Sequence, residues 1–309
     1  MEKSGYYEFN HLTEVISTCE ECRTLGCDKK ETDGIPDWCP RLLEQITYAE
    51  DCIINHPEVK RRFKTLENLS HIYNYGIEHS ISVAKIGEQL LACDDSEYQG
   101  KNIKLLYIAS VLHELGRSND YSNWGDDYWH DSAIIAERLL STIPELSVHD
   151  KYEIIEAIDR HVLDIGHTRP VMAALCFGSK LSLISNHFKR NLSLDEFSQL
   201  PEHEKQAFFT RNITFHTEER ETPSDSQLVG VLTLHYNQKS GRAYGFAPEF
   251  NPELLAKFAK PIQGSREVAI NFLGLDDFEM HLSNNSPFYS ADKDPEVTII
   301  PLEIFTKKE

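Results

Sequence analysis

No stretch of this chain is apolar for long enough to span a membrane, and its first residues lack the basic and hydrophobic regions of a secretory signal. Basic residues are in deficit: 31 Lys and Arg face 50 Asp and Glu, a formal net charge of -19. That balance argues against a protein that wraps a nucleic-acid backbone. It leaves phosphorylated small molecules open as partners, because a local metal ion outweighs the field of the whole chain. Internal repeats and low-complexity tracts are also missing. The seven cysteines are an odd number and do not suit a secreted disulfide scaffold. The expectation is a cytoplasmic protein whose 309 residues bury one large core or two modest ones.

What is present divides into regions. Residues 1–40 have weak periodicity and hold Cys19, Cys22, Cys27 and Cys39, with turns at Gly34, Pro36 and Pro40. Helical patterning follows over 41–54, 77–92, 101–115, 129–141, 151–163 and 170–189, giving an all-helical body over 41–190. Between two of these helices, 116–128 (GRSNDYSNWGDDY) is polar, turn-rich and aromatic, as a site-forming loop would be. Residues 191–227 are charged and read as short helices plus connection. From 228 the pattern changes to strands at 228–236, 266–275 and 296–305 and a short helix at 251–260, a smaller α+β region reaching to 309. Pro301 demotes the last strand to an edge or a bulge. That region is expected to pack over the functional site or to form a subunit contact in a homo-oligomer. Cys52, Cys93 and Cys176 fall in helical patterns and are expected to be buried thiols.

The helix IKLLYIASVLHEL is apolar on nearly every side, yet it ends in His113 and Glu114. Burying an imidazole and a carboxylate there is costly unless they are paired or hold a metal. Three more histidines share apolar helix faces. His79 lines up with Val83, Ile86 and Leu90; His161 with Ile154 and Ile158; His130 starts a helix in line with Ala133 and Leu140. Any one of them alone is more simply a core histidine bonded to a carbonyl. Four histidines and a glutamate in register suggest a divalent metal site.

These segments resemble the HD-domain superfamily, an all-helical metal-binding bundle named for an adjacent His-Asp pair. The resemblance covers roughly residues 70–190. YGIEHSISVAKIGEQL supplies a first histidine, SVLHELGR the central pair, WHDSAIIAERLL a segment that looks like the family's His-x-x-Ser-Ala, EIIEAIDRHVL a further histidine, and PVMAALCFGSKLSLI the last signature. The implied fold is mainly α, an HD-like helical bundle with a Cys-rich N-terminal arm and a smaller α+β C-terminal region. Two positions depart from the pattern. The aspartate of the central pair is Glu114, one methylene or about 1.5 Å longer. The last metal-binding aspartate falls on Ser179, whose neutral hydroxyl is a poor ligand. A site rich in imidazole and poor in carboxylate favours zinc, iron or manganese over magnesium. His130 and His161 resemble the additional histidines of members that hold two metals, and Asp126, Asp127 and Asp131 lie near enough in sequence to His130 to serve as ligands or to orient one.

The resemblance implies a metal-dependent phosphohydrolase, in which water acidified by the metal attacks phosphorus in a small phosphorylated or nucleotide substrate. Glu114, Arg117 and Asp127 are the candidate catalytic residues. Arg117 would hold a phosphate oxygen, with Arg169 and Lys180 as weaker candidates, and Asp120 or Asp127 would position water. The plainer reading of Arg117 is a basic residue at a helix C-terminus. Two rival functions remain: an iron-dependent oxygenase of the same fold, and a catalytically silent scaffold or sensor, which would account for Glu114 and Ser179 most simply. The cysteine arm, with spacing C-x2-C-x4-C-x11-C, can form a tetrahedral zinc site or ligate an iron–sulfur cluster; lone thiols are its plainer reading.

Overall fold

The computed structural model describes residues 40–69, 76–96, 98–118, 127–162, 169–189, 213–221, 225–235, 259–283 and 297–300. The cysteine arm lies outside these residues. So do Asp120, Asp126 and residues 251–258 of the helix expected over 251–260, whose last two residues begin the final helix of the chain's described part. The described chain is mainly α with a small α+β region. Its elements are α1 (Pro40–Asn55), α2 (Pro57–Leu69), α3 (Ile77–Ala92), α4 (Gln99–Leu112), a 3-10 turn (Leu115–Ser118), α5 (Tyr128–Ser141), α6 (Val148–Arg160) and α7 (Pro170–Lys189). These are followed by β1 (Ile213–Glu221), β2 (Ser226–His235), α8 (Ala259–Leu273), β3 (Asp277–Ser283) and β4 (Val297–Ile300). No helix among the described residues is long and apolar enough to cross a membrane.

Helix α4 is the centre of the bundle. Leu105, Leu106, Ile108, Ala109, Val111 and Leu112 are all buried, and in its second half Tyr107 alone stays partly exposed. Around it pack Ile46 and Ile53 of α1, Ala136 and Leu140 of α5, Ile154 and Ile158 of α6, and Val171 and Leu175 of α7 in one apolar core. Helix α2, not anticipated in the sequence, adds Val59, Phe63 and Leu66 to that core. Its stripe is helical in spacing but lies among the charges of PEVKRRFKTLENL, which mask it. Helix α6 begins earlier than its apolar pattern suggests, because Ser147 caps it: the Ser147 hydroxyl accepts from the Asp150 amide at 3.1 Å.

Helices α3 and α7 lie backbone against backbone. A Cβ placed on Gly87 would come within 2.5 Å of the Ala174 carbonyl oxygen, and one on Gly178 within 2.2 Å of the Val83 carbonyl oxygen. Only glycine permits that approach. Having two apolar faces, the pair belongs to two cores. Its second face carries Ile86, Leu90, Ala173, Cys176, Phe177 and Leu181 against Phe215, Leu232, Phe278 and Met280 of the sheet.

The sheet order is β1-β2-β3-β4, with β1–β2 and β3–β4 antiparallel and β2–β3 parallel. Helix α8 lies between the parallel strands in sequence, as a parallel connection requires. Three expectations are corrected here. Residues 213–221 form a strand rather than helices and connection: Ile213 and Phe215 alternate inward before the acidic tail of the strand hides the period. Residues 266–273 are helix, not strand, because Ile262, Ser265, Val268 and Ala269 recur at helical spacing against the core while their β-branched content mimics a strand. The missing strand is instead β3, with Phe278 and Met280 buried. Strands β2 and β4 fall within the segments where the pattern placed them, and β4 is at the edge of the described sheet; Pro301 lies outside the described residues.

The described sheet docks on α3 through Gln89, whose Oε1 accepts from the Phe215 amide at 2.7 Å and whose Nε2 donates to the Ile213 carbonyl at 3.3 Å. Gln89 lies about 15 Å along the helix axis from His79. Among the described residues the sheet therefore packs at the far end of α3 instead of over the histidines. Cys176 is buried as expected, whereas Cys52 and Cys93 are half-buried free thiols.

Candidate metal centre

Three helix ends meet at one point. His79 lies in the first turn of α3, His113 directly follows α4, and His161 directly follows α6. The last two occupy equivalent positions, each the helical C-cap with φ -65° and ψ -22° at His113 and φ -62° and ψ -20° at His161. In each, Nδ1 turns back to the carbonyl three residues earlier, Ser110 for His113 and Ile158 for His161, both at 2.7 Å. A carbonyl only accepts, so Nδ1 carries the proton and Nε2 presents its lone pair. Both Nε2 atoms are buried and have no hydrogen-bond partner.

Glu114 completes the group. Its Oε1 lies 3.5 Å from His113 Nε2 and 3.9 Å from His79 Nε2. The ligand atoms of His79, His113 and Glu114 all fall within 4.8 Å of one another, and all three residues are buried. Donors bound to one tetrahedral ion at about 2.0–2.2 Å are separated by about 3.3–3.5 Å, so the two pairs made by Glu114 Oε1 stand within about 0.6 Å of that spacing. The rings of His79 and His113 stack at 5.5 Å, and His161 meets His113 edge-on at 5.3 Å. Burial lowers the pKa of His113 to about 4 and that of His161 to about 3, so both imidazoles are neutral, the form that binds metals. Burial pushes the Glu114 carboxyl up and the Arg117 guanidinium pulls it back.

Arg117 stands in the 3-10 turn, where its Nε donates to Glu114 Oε2. Its guanidinium lies 3.4 Å from the centroid of the Tyr128 ring, and that ring is 6.3 Å from His161. The turn itself is tied down on two sides. Gly116 N donates to Ser132 Oγ at 2.8 Å, and a side chain at Gly116 would collide with the Tyr128 carbonyl. From α2, Arg62 donates to Ser118 Oγ at 2.7 Å and to the Leu115 carbonyl at 3.4 Å. Tyr128, Ser132 and Arg62 escaped the sequence reading. The aromatic, turn-rich segment 116–128 signalled Tyr128, but nothing local signalled Arg62.

Other expected residues stand apart. His130 is 54% exposed and pairs with Asp159 at 2.9 Å, outside the buried group. Asp127 is exposed at the start of α5, while Asp131 is half-buried beside Gly116. Ser179 is half-buried, and it is Ser182, one turn on, that is fully buried. Arg169 pairs with Glu156, and Lys180 lies against Gly264 of α8. Comparison of the chain with protein-family models, curated proteins and solved structures yields no match.

Proposed function

We propose that the helical body is a metal-dependent phosphohydrolase acting on a small phosphorylated or nucleotide substrate, with His79, His113, Glu114 and His161 as the residues that hold the ion. The observation that carries this reading is the pair of buried, partnerless imidazole nitrogens at His113 and His161 beside a buried carboxylate. A buried polar atom left without a partner costs about 1–3 kcal/mol, and a bound cation removes that cost at both. The imidazole-rich donor set favours zinc, iron or manganese. When bound, such an ion acidifies water and offsets charge on a phosphoryl group. Glu114 offers Oε1 to it. Arg117, engaged with Glu114 and Tyr128, orients the carboxylate rather than holding phosphate. Asp127, exposed next to Tyr128, is the residue to position the attacking water.

The complete burial of the four side chains, together with Ser179 in place of a carboxylate, favours a second reading. In it the metal fastens α3, α4 and α6 together and the body serves as a scaffold. Phosphate release separates the two. The full chain, supplied with zinc, manganese or ferrous ion, is assayed against phosphomonoesters, phosphodiesters and nucleotides. Turnover that disappears in His113→Ala and persists in Cys22→Ala supports the hydrolase. Metal bound without turnover supports the scaffold, and oxygen consumption with iron supports an oxygenase instead.

A further inference from the structure

We propose that Arg117 is a positioning residue that makes Glu114 a one-oxygen ligand and so sets which divalent ion the His79–His113–Glu114 group prefers. The inference rests on the metal reading above. The two oxygens of Glu114 are used differently: Oε1 faces the histidine nitrogens, whereas Oε2 is taken by Arg117 Nε. Glutamate has one more rotatable bond than aspartate, and an unrestrained carboxylate at this distance is free to swing and chelate with both oxygens. Arg117 prevents that. Its guanidinium is held between Oε2 and the face of Tyr128, and its backbone is pinned through Gly116 to Ser132 and through Leu115 and Ser118 to Arg62. The clamp therefore reaches α2 and α5, neither of which supplies a buried ligand.

A small ion suited to imidazole, such as zinc, binds well with one carboxylate oxygen. An ion that favours oxygen donors, such as manganese, loses a donor when Oε2 is withheld. Arg117 also places a positive charge near the ion, which weakens every divalent cation alike. The ratio of affinities separates the two effects, because repulsion cancels from it and donor count does not.

The test is titration of metal-stripped full-length protein with zinc and with manganese, scoring only the binding that is lost in His113→Ala, which excludes the cysteine arm. Arg117→Ala is expected to narrow the zinc-to-manganese preference by roughly tenfold, the scale of outer-shell effects on metal sites. Tyr128→Leu, which removes the ring beneath the guanidinium and leaves the three ligands and the Arg117 charge in place, shifts it the same way by less. A ratio unchanged within about twofold in Arg117→Ala overturns the proposal even if both affinities rise. Should that variant fail to fold, an unchanged ratio in Tyr128→Leu overturns it. Wild-type protein that binds neither ion at this site overturns the metal reading as well, whereas normal binding with an invariant ratio overturns this inference alone.

Discussion

His113 and His161 meet edge to face, ring centroids 5.3 Å apart, although all of α5 and α6 lies between them in sequence. Each closes a helix, and each fixes its tautomer on the carbonyl three residues back. The repeated geometry leaves a buried lone pair without a hydrogen-bond partner on each ring. Replacement of His113 or His161 by alanine is expected to lower metal affinity by more than the roughly 10–100-fold that an outer-shell partner is worth. Calorimetric titration of the stripped protein reads both.

Metal removal provides a second check. If the ion binds only the folded state, saturation at 100 times its dissociation constant stabilises by about 2.7 kcal/mol. A chelator should therefore lower the melting temperature of the wild type by several degrees, as thermal unfolding by circular dichroism would report. His113→Ala should lose most of that response, and any residue of it belongs to other sites such as the cysteine arm.

The contact between α3 and α7 predicts a strong dependence on one glycine. In Gly178→Ala the new methyl meets the Val83 carbonyl, a backbone atom that cannot step aside. Overpacking of this kind costs about 1–3 kcal/mol. Gly264→Ala is the control, since its nearest neighbours are the terminal atoms of Lys180, which rotate away. Denaturant unfolding should rank the two variants in that order.

Gln89 carries the described hydrogen bonds from α3 to β1. Gln89→Leu keeps the bulk and removes both bonds, stranding the Phe215 amide and the Ile213 carbonyl. A loss of about 1–3 kcal/mol is expected, together with faster hydrogen exchange at the Phe215 amide.

Across the outer face of the sheet, Arg220 of β1 bridges over β2 to Glu279 of β3 and also holds Glu218. Hydrogen bonds from Arg220, with His281 assisting, hold the Glu279 carboxyl below its ordinary value; at Glu218, His216 contributes most and Arg220 adds to it. A depressed carboxyl stabilises the fold above its unfolded pKa and loses that contribution as pH falls through the folded value. Arg220→Ala should therefore cost up to about 1 kcal/mol near neutrality, the range for exposed pairs. The cost should fade below about pH 4 and at high salt. Unfolding of both proteins across pH is the measurement.

The helical body was legible because its helices carry apolar stripes at helical spacing, and the inward-facing His79, His113 and His161 broke those stripes with residues that are costly to bury. His130 broke a stripe too. At the first turn of α5, however, its ring lies beside Asp159 at the surface rather than in the bundle. Helix α2 and strand β1 were hidden by charge, since Arg62 and Glu218 interrupt patterns that only three-dimensional packing completes. The pairing of Arg117 with Glu114 was legible from their i,i+3 spacing. The support around it was not: Arg62 of α2 and Tyr128 and Ser132 of α5 come from separate segments, and no spacing rule links residues brought together by tertiary contact alone.

The central claim is that the helical body holds a transition-metal ion among these side chains. Anomalous X-ray scattering from crystals of untreated, chelator-free protein, collected across the iron and zinc edges, tests it directly and separates this site from the cysteine arm. The account predicts a peak about 2 Å from His113 Nε2 and Glu114 Oε1, with Arg117 still on Oε2. No peak there, with His113 Nε2 bonded to a water or a protein group, would contradict it.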